Sequence, residues 1–177
     1  MRAIAALACV LALATADIRA QQGKATEAQI KVAYLFSFGK FVEWPPNSAV
    51  QATNGFPICV LGRDPFGTTL DEVLTNASVG GQPVIARRIS ENDQIAGCRI
   101  VYIGSSEAAQ LETILAAIAR APVLTVSEIP DFTDRGGMIR FVADTKRVRF
   151  EINLPPAQQA GLVVRSDLLR VAAAVRK

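Results

Sequence analysis

Residues 98–127 read CRIVYIGSSEAAQLETILAAIARAPVLTVS, and this stretch decides the fold. Residues 98–104 and 122–127 are short, β-branched and bounded by turn residues, as strands are. The polar and apolar positions of 107–120 between them have the spacing of a helix. Strand, helix and strand in that order make a crossover between parallel strands. Working back along the chain, FPICVLG at 56–62 and PVIARRI at 83–89 supply two more strands. Residues 66–76 form the helix between them, and a short turn follows near 91–95. The alternation predicts a single α/β domain whose largely parallel sheet is flanked by helices on both faces.

Beyond Ser127 the pattern changes. Residues 138–143 and 148–154 are two strands joined by only four residues, 144–147, so they form a C-terminal antiparallel hairpin. Gly136-Gly137 opens it as a backbone turn that side chains would obstruct. Pro155-Pro156 stops its second strand, and Ser166 caps a final helix over 167–175. On the amino-terminal side, Thr26-Glu27-Ala28-Gln29 has the form of a capping box and opens a helix over 27–42. Ile30, Val32, Tyr34, Leu35, Phe36, Phe38, Phe41 and Val42 cover nearly its whole circumference, which predicts burial on more than one side or a partner. Trp44-Pro45-Pro46 ends that helix, and 47–55 is a polar connection.

The first twenty residues are of another kind. Arg2 precedes an unbroken run of small apolar residues over 3–14, and Ala14-Thr15-Ala16 fits the small-x-small rule for signal peptidase. The run is too short for the ~20 residues that span a bilayer. The chain therefore reads as a cleavable N-terminal signal peptide, 1–20, followed by one domain, 21–177, in the periplasm, with no direct membrane insertion. Formal net charge falls from +3 to about +2 on cleavage. The basic residues form no dense run, so no nucleic-acid partner is expected.

The 177-residue chain has no histidine. That excludes Ser-His-Asp and Cys-His catalysis and histidine-based metal sites. There is no phosphate-binding Walker loop, GxSxG elbow or CxxC pair either. No catalytic residue, metal or cofactor is expected. Two cysteines follow the signal segment, Cys59 and Cys98; an even pair in an oxidising compartment reads as a disulfide, with two separate buried thiols as the alternative. A ligand reading rests on the strand ends, because ligands of open parallel sheets bind at the carboxyl edge. Arg63, Asp64, Ser105 and Ser127 lie there, although Asp64 and Ser105 also suit helix caps.

Six blocks, taken together, carry a resemblance to a known family. They are AYLFSFGKFVEWP at 33–45, ICVLGRDPFG at 58–67, VLTVS at 123–127, GGMI at 136–139, RFEINL at 149–154 and AGL at 160–162. In this order they resemble the YfiR-like periplasmic family. The resemblance implies a homodimeric α/β regulator that binds the periplasmic segment of an inner-membrane diguanylate cyclase and holds it inactive, restraining cyclic di-GMP and biofilm growth. It also implies that Cys59 and Cys98 are the bridged pair; a second bridge of the best-known member has no counterpart here. Apolar character nominates Tyr34, Phe38, Phe41 and Trp44 in the first helix, and Phe150, Ile152, Leu168 and Leu169 near the carboxyl terminus, as partner contacts. The competing reading is a periplasmic small-solute sensor using the strand-end crevice.

Overall fold

The computed structural model describes residues 25–46, 55–144 and 147–177. The expected signal peptide, most of the 47–55 connection and the middle of the hairpin turn lie outside these residues. Ten strands and five α-helices are assigned among them: β1 Val42–Glu43, β2 Phe56–Leu61, β3 Ser78–Val79, β4 Gln82–Ile89, β5 Ile100–Ile103, β6 Leu124–Ser127, β7 Ile139–Asp144, β8 Arg147–Asn153, β9 Val163–Val164 and β10 Ala174–Arg176; α1 Glu27–Phe41, α2 Thr68–Leu74, α3 Leu111–Ala117, α4 Leu154–Gln159 and α5 Ser166–Val171. Two 3-10 helices, Asn92–Gly97 and Ser105–Gln110, precede β5 and α3.

Eight strands form one sheet in the order β10-β8-β7-β6-β5-β2-β4-β3. Pairing is parallel except for the β7–β8 hairpin and the β3–β4 edge. Every position of β2, β5 and β6 is buried, which is why β2 and β5 run apolar without alternation, while Thr125 and Ser127 of β6 are buried with their hydroxyls hydrogen-bonded. Successive side chains still point to opposite faces. Ile58, Val60, Ile100, Tyr102, Leu124 and Val126 share one layer with α1, α2 and the carboxyl-terminal helices. Cys59, Leu61, Val101 and Ile103 share the other with α3 and Phe132. The Cys59–Cys98 disulfide lies in this second layer, with a Cα–Cα distance of 6.0 Å.

The capping box is present: the Thr26 side chain accepts from Gln29 N, and the Gln29 side chain accepts from Thr26 N. At the hairpin entry Gly136 takes φ +98°, and a Cβ on Gly137 would fall 2.1 Å from the buried Phe132 ring. Three local expectations are corrected. Pro155 and Pro156 stop β8 but also begin α4, since proline needs no donor in a first helical turn. The final helix ends at Val171, and Ala174–Arg176 turns into an edge strand parallel to β8. Ser166 is the first helical residue and makes no side-chain cap. A further pair, β1 with β9, ties the end of α1 to the segment after α4 in antiparallel register, Val42 opposite Val164.

Candidate functional site

The topological switch lies between β2 and β5, whose chains leave in opposite directions along the sheet. A ligand crevice is expected at their carboxyl ends, but the loops there are closed by their own side chains. Ser106 Oγ accepts from Arg63 N at 2.9 Å and donates to Glu107 Oε1 at 2.7 Å. A Cβ on Gly62 would lie 2.3 Å from that same Glu107 oxygen. Asp64 Oδ1 accepts from Phe66 N and, more weakly, Gly67 N, while Oδ2 takes Arg88 Nε at 3.0 Å. Asp64 thus shapes the turn before α2 and does not cap the helix, whose N-cap is Gly67. Ser127 is fully buried, donates to Ile103 O and accepts from Ile129 N. Of the four residues nominated here, Asp64 and Ser127 are bound into the fold, and Arg63 and Ser105 are exposed.

A polar cluster that sequence reasoning did not find stands one layer below this edge. Lys31 of α1 is 8% exposed, and its ammonium donates to Glu27 and Glu128. Glu128 Oε2 also accepts from Tyr102 OH at 2.6 Å. Burial works against the Lys31 charge, but hydrogen bonds and attraction from Glu128 and Glu27 outweigh it and raise its pKa above 10.5. Tyr102 is likewise raised, chiefly by burial and then by Glu128. The cluster fastens α1 to the end of β6. Its lysine contribution is fully present below the ordinary lysine pKa and is lost only as pH climbs through the raised folded value. Glu128→Ala leaves the ammonium with one exposed partner, so it should cost about 1–3 kcal/mol in urea unfolding, discounted for partial exposure. Lys31→Met in the Glu128→Ala background should recover most of that loss. A double variant no more stable than Glu128→Ala would show that the ammonium is not what the mutation stranded.

The residues nominated as partner contacts divide by burial. Phe38, Phe150, Ile152 and Leu168 belong to the core. Phe38 meets Phe150 edge-on at 5.1 Å and Phe141 stacked at 5.9 Å. Tyr34 adds to this cluster, 5.2 Å from Phe150. In this fold those four core residues present no surface to another protein. Tyr34, Phe41, Trp44 and Leu169 are half-buried and keep some surface. Where β1 meets β9, the Arg165 guanidinium lies 5.9 Å over the Phe41 ring, and Arg165 N donates to Phe41 O. Val163 of β9 is 58% exposed and Val171, at the end of α5, 63% exposed. Val163 drew no notice in the sequence, because an isolated valine carries no signal until β1–β9 pairing places it on the surface. Phe41, Val163 and Arg165 make an amphipathic surface built from both ends of the domain.

The sequence pattern of the YfiR/HmsC-like family matches residues 28–173, nearly the whole of the described chain. The chain belongs to the YfiR/HmsC-like family. The match takes in both halves of the amphipathic surface and the disulfide. This is a family of periplasmic regulators. Among solved structures, a conserved domain protein from Vibrio cholerae is similar at 12% identity with TM-score 0.55, covering 85% of this chain and 60% of that one. An "ABC domain in complex with L-Trp" from Streptococcus pneumonia is similar at 14% identity with TM-score 0.53, covering 84% and 61%. This chain therefore spans about three-fifths of each of those structures. At such identities the likeness is one of fold. It places this YfiR/HmsC-like domain among parallel α/β architectures.

Proposed function

We propose that this protein restrains an inner-membrane signalling enzyme, a diguanylate cyclase, by binding its periplasmic segment. The family match over residues 28–173 carries the reading. The chemistry of the chain accords with it. There is no histidine, and among the described residues no group of three or more acidic or cysteine side chains could hold a metal. No described helix is long and apolar enough to cross a membrane, so an effect on the cell interior needs a partner that does cross. The surface around Phe41, Val163 and Arg165 suits that contact, since apolar groups rimmed by a guanidinium are typical anchors of protein interfaces. The protein acts as a homodimer and reaches the periplasm on a cleaved segment, residues 1–20.

Deleting the gene should raise cellular cyclic di-GMP severalfold, and expression of the wild-type protein should return it to the starting level. Val163→Glu and Arg165→Glu lie on the surface, so each should fold normally yet fail to complement. An unchanged cyclic di-GMP level on deletion would remove the cyclase from the proposal.

A further inference from the structure

A pocket of about 370 Å³ lies where β6 and β7 begin, between α3 and α4. That volume falls within the usual range for small-molecule sites. The two helices belong to different layers, α3 to the disulfide side of the sheet and α4 to the side of α1. Leu115, Ile118, Met138 and Pro156 give the pocket apolar walls. Its shape is held by hydrogen bonds. Asn153, immediately before α4, donates through Nδ2 to Thr133 O at 2.9 Å and to Gly137 O at 3.2 Å, which fixes the turn at the hairpin entry. Gly136 in that turn faces open space, since a Cβ there would meet only Leu115 Cδ1, at 3.9 Å. Walls tied to both layers relax little into such a gap.

Charge and hydrogen bonding decide what fits it. Glu112 and Arg135 line the pocket as a pair, Arg135 Nε donating to Oε1 at 2.6 Å and Nη2 to Oε2 at 2.9 Å. Arg135 Nη2 also donates to Ala108 O at 2.8 Å. The guanidinium holds the Glu112 carboxyl down to about 2, so the pair stays ionised and self-neutralised across the physiological range. No other charged side chain lines the pocket among the described residues. An ionised molecule entering it would therefore leave water without a counter-charge, at a cost a neutral one escapes. Thr125, 2% exposed, supplies the polar point on the sheet. Its hydroxyl accepts from Met138 N at 3.0 Å, and a hydroxyl that accepts one bond still has its proton to donate.

We infer that this pocket binds a small neutral molecule, its apolar body, of the size of an aromatic ring, against Leu115, Ile118 and Pro156 and its hydrogen-bond acceptor on the Thr125 hydroxyl. The Glu112–Arg135 pair turns ionised molecules away. The site lies apart from the crevice that Glu107 fills, and it does not depend on the identity of any membrane partner.

Acetophenone should shift the Gly136 and Met138 amide resonances saturably in a 15N-correlated NMR spectrum. Benzoate, which has the same ring and an ionised head, should bind roughly tenfold more weakly or worse. Glu112→Gln leaves Arg135 without its carboxylate, so it should strengthen benzoate severalfold while leaving the far-ultraviolet circular dichroism unchanged. Thr125→Val should weaken acetophenone severalfold. That variant also takes the acceptor from Met138 N; if it fails to fold, Ala116→Trp and Ala119→Trp decide. Both positions line the pocket from the exposed side of α3, and at least one of the two should fill it and abolish binding. The inference is overturned by amide resonances that acetophenone does not move, by equal affinity for benzoate in the wild type, by benzoate no tighter in Glu112→Gln, or by unchanged acetophenone binding in both tryptophan variants.

Discussion

Phe38→Ala should lower the free energy of unfolding by about 3–5 kcal/mol, the range for truncating a fully buried aromatic side chain. The ring is 0% exposed and touches Tyr34, Phe141 and Phe150, so its removal opens a cavity among three other rings. The surrounding atoms sit on α1, β7 and β8, three elements whose backbones are fixed by their own hydrogen bonds. They cannot collapse far into the gap. Phe38→Leu keeps most of the volume and should cost less than half as much. Urea unfolding followed by circular dichroism measures both. The experiment also separates two roles that the sequence offers for this residue. A partner contact would leave the isolated protein's stability nearly unchanged, so a loss below about 1 kcal/mol would put Phe38 back on the surface.

Removing the Cys59–Cys98 bridge should cost about 4 kcal/mol by the chain-entropy account, because the link closes a long loop in the unfolded chain. The two cysteines are 39 residues apart in sequence and both fully buried. For a domain of this size that corresponds to a fall in Tm of roughly 8–16 °C. The comparison is Cys59→Ala/Cys98→Ala against wild type under oxidising conditions, by thermal and urea unfolding. Reductant should destabilise the wild type by a similar amount and leave the double variant untouched. The bridge pins the start of β5 to the middle of β2, the pair that forms the switch point, and it lies in the layer opposite α1. The loss should therefore add to that of Phe38→Ala, since the two sites share no side chain and sit on opposite faces of the sheet. A fall of less than about 1 kcal/mol would mean that the unfolded chain is already compact around these residues.

The central strands were legible because burial on both faces leaves an unmistakable record: Ile58, Cys59, Val60 and Leu61 have no polar alternate. The capping box was legible for a similar reason, since Thr26 and Gln29 act within one turn. Failures began where a residue's role depends on distant chain. Ala174 to Arg176 has a neutral local preference, and its pairing with Glu151 to Asn153 decides for strand. Asp64 reads as a helix cap from its neighbours, yet Arg88, on β4, draws one of its oxygens away and the helix begins four residues later. The apolar residues of α1 were visible as a set, but the three-dimensional cluster alone divides them into core and surface. Phe38 and Tyr34 are one helical turn apart, and only the position of Phe150 gives one full burial and the other part. The burial of Arg99 beside Trp44 was the least accessible feature. Arg99 looks like any surface arginine in a sequence, because nothing local records that Trp44 folds over it.

The aromatic cluster also sets an order of events. Tyr34 and Phe38 find their partners about 110 residues further along the chain, in Phe141 and Phe150, so the first helix closes on one of the last strands. A chain that emerges amino end first must carry Tyr34 and Phe38 of α1 without these partners until the hairpin has followed. The intervening strands can pair in sequence meanwhile, but one face of that growing sheet stays open. That aromatic cluster is therefore completed only at the end of the chain, and whatever holds the unfinished chain has an apolar helix face to hold it by.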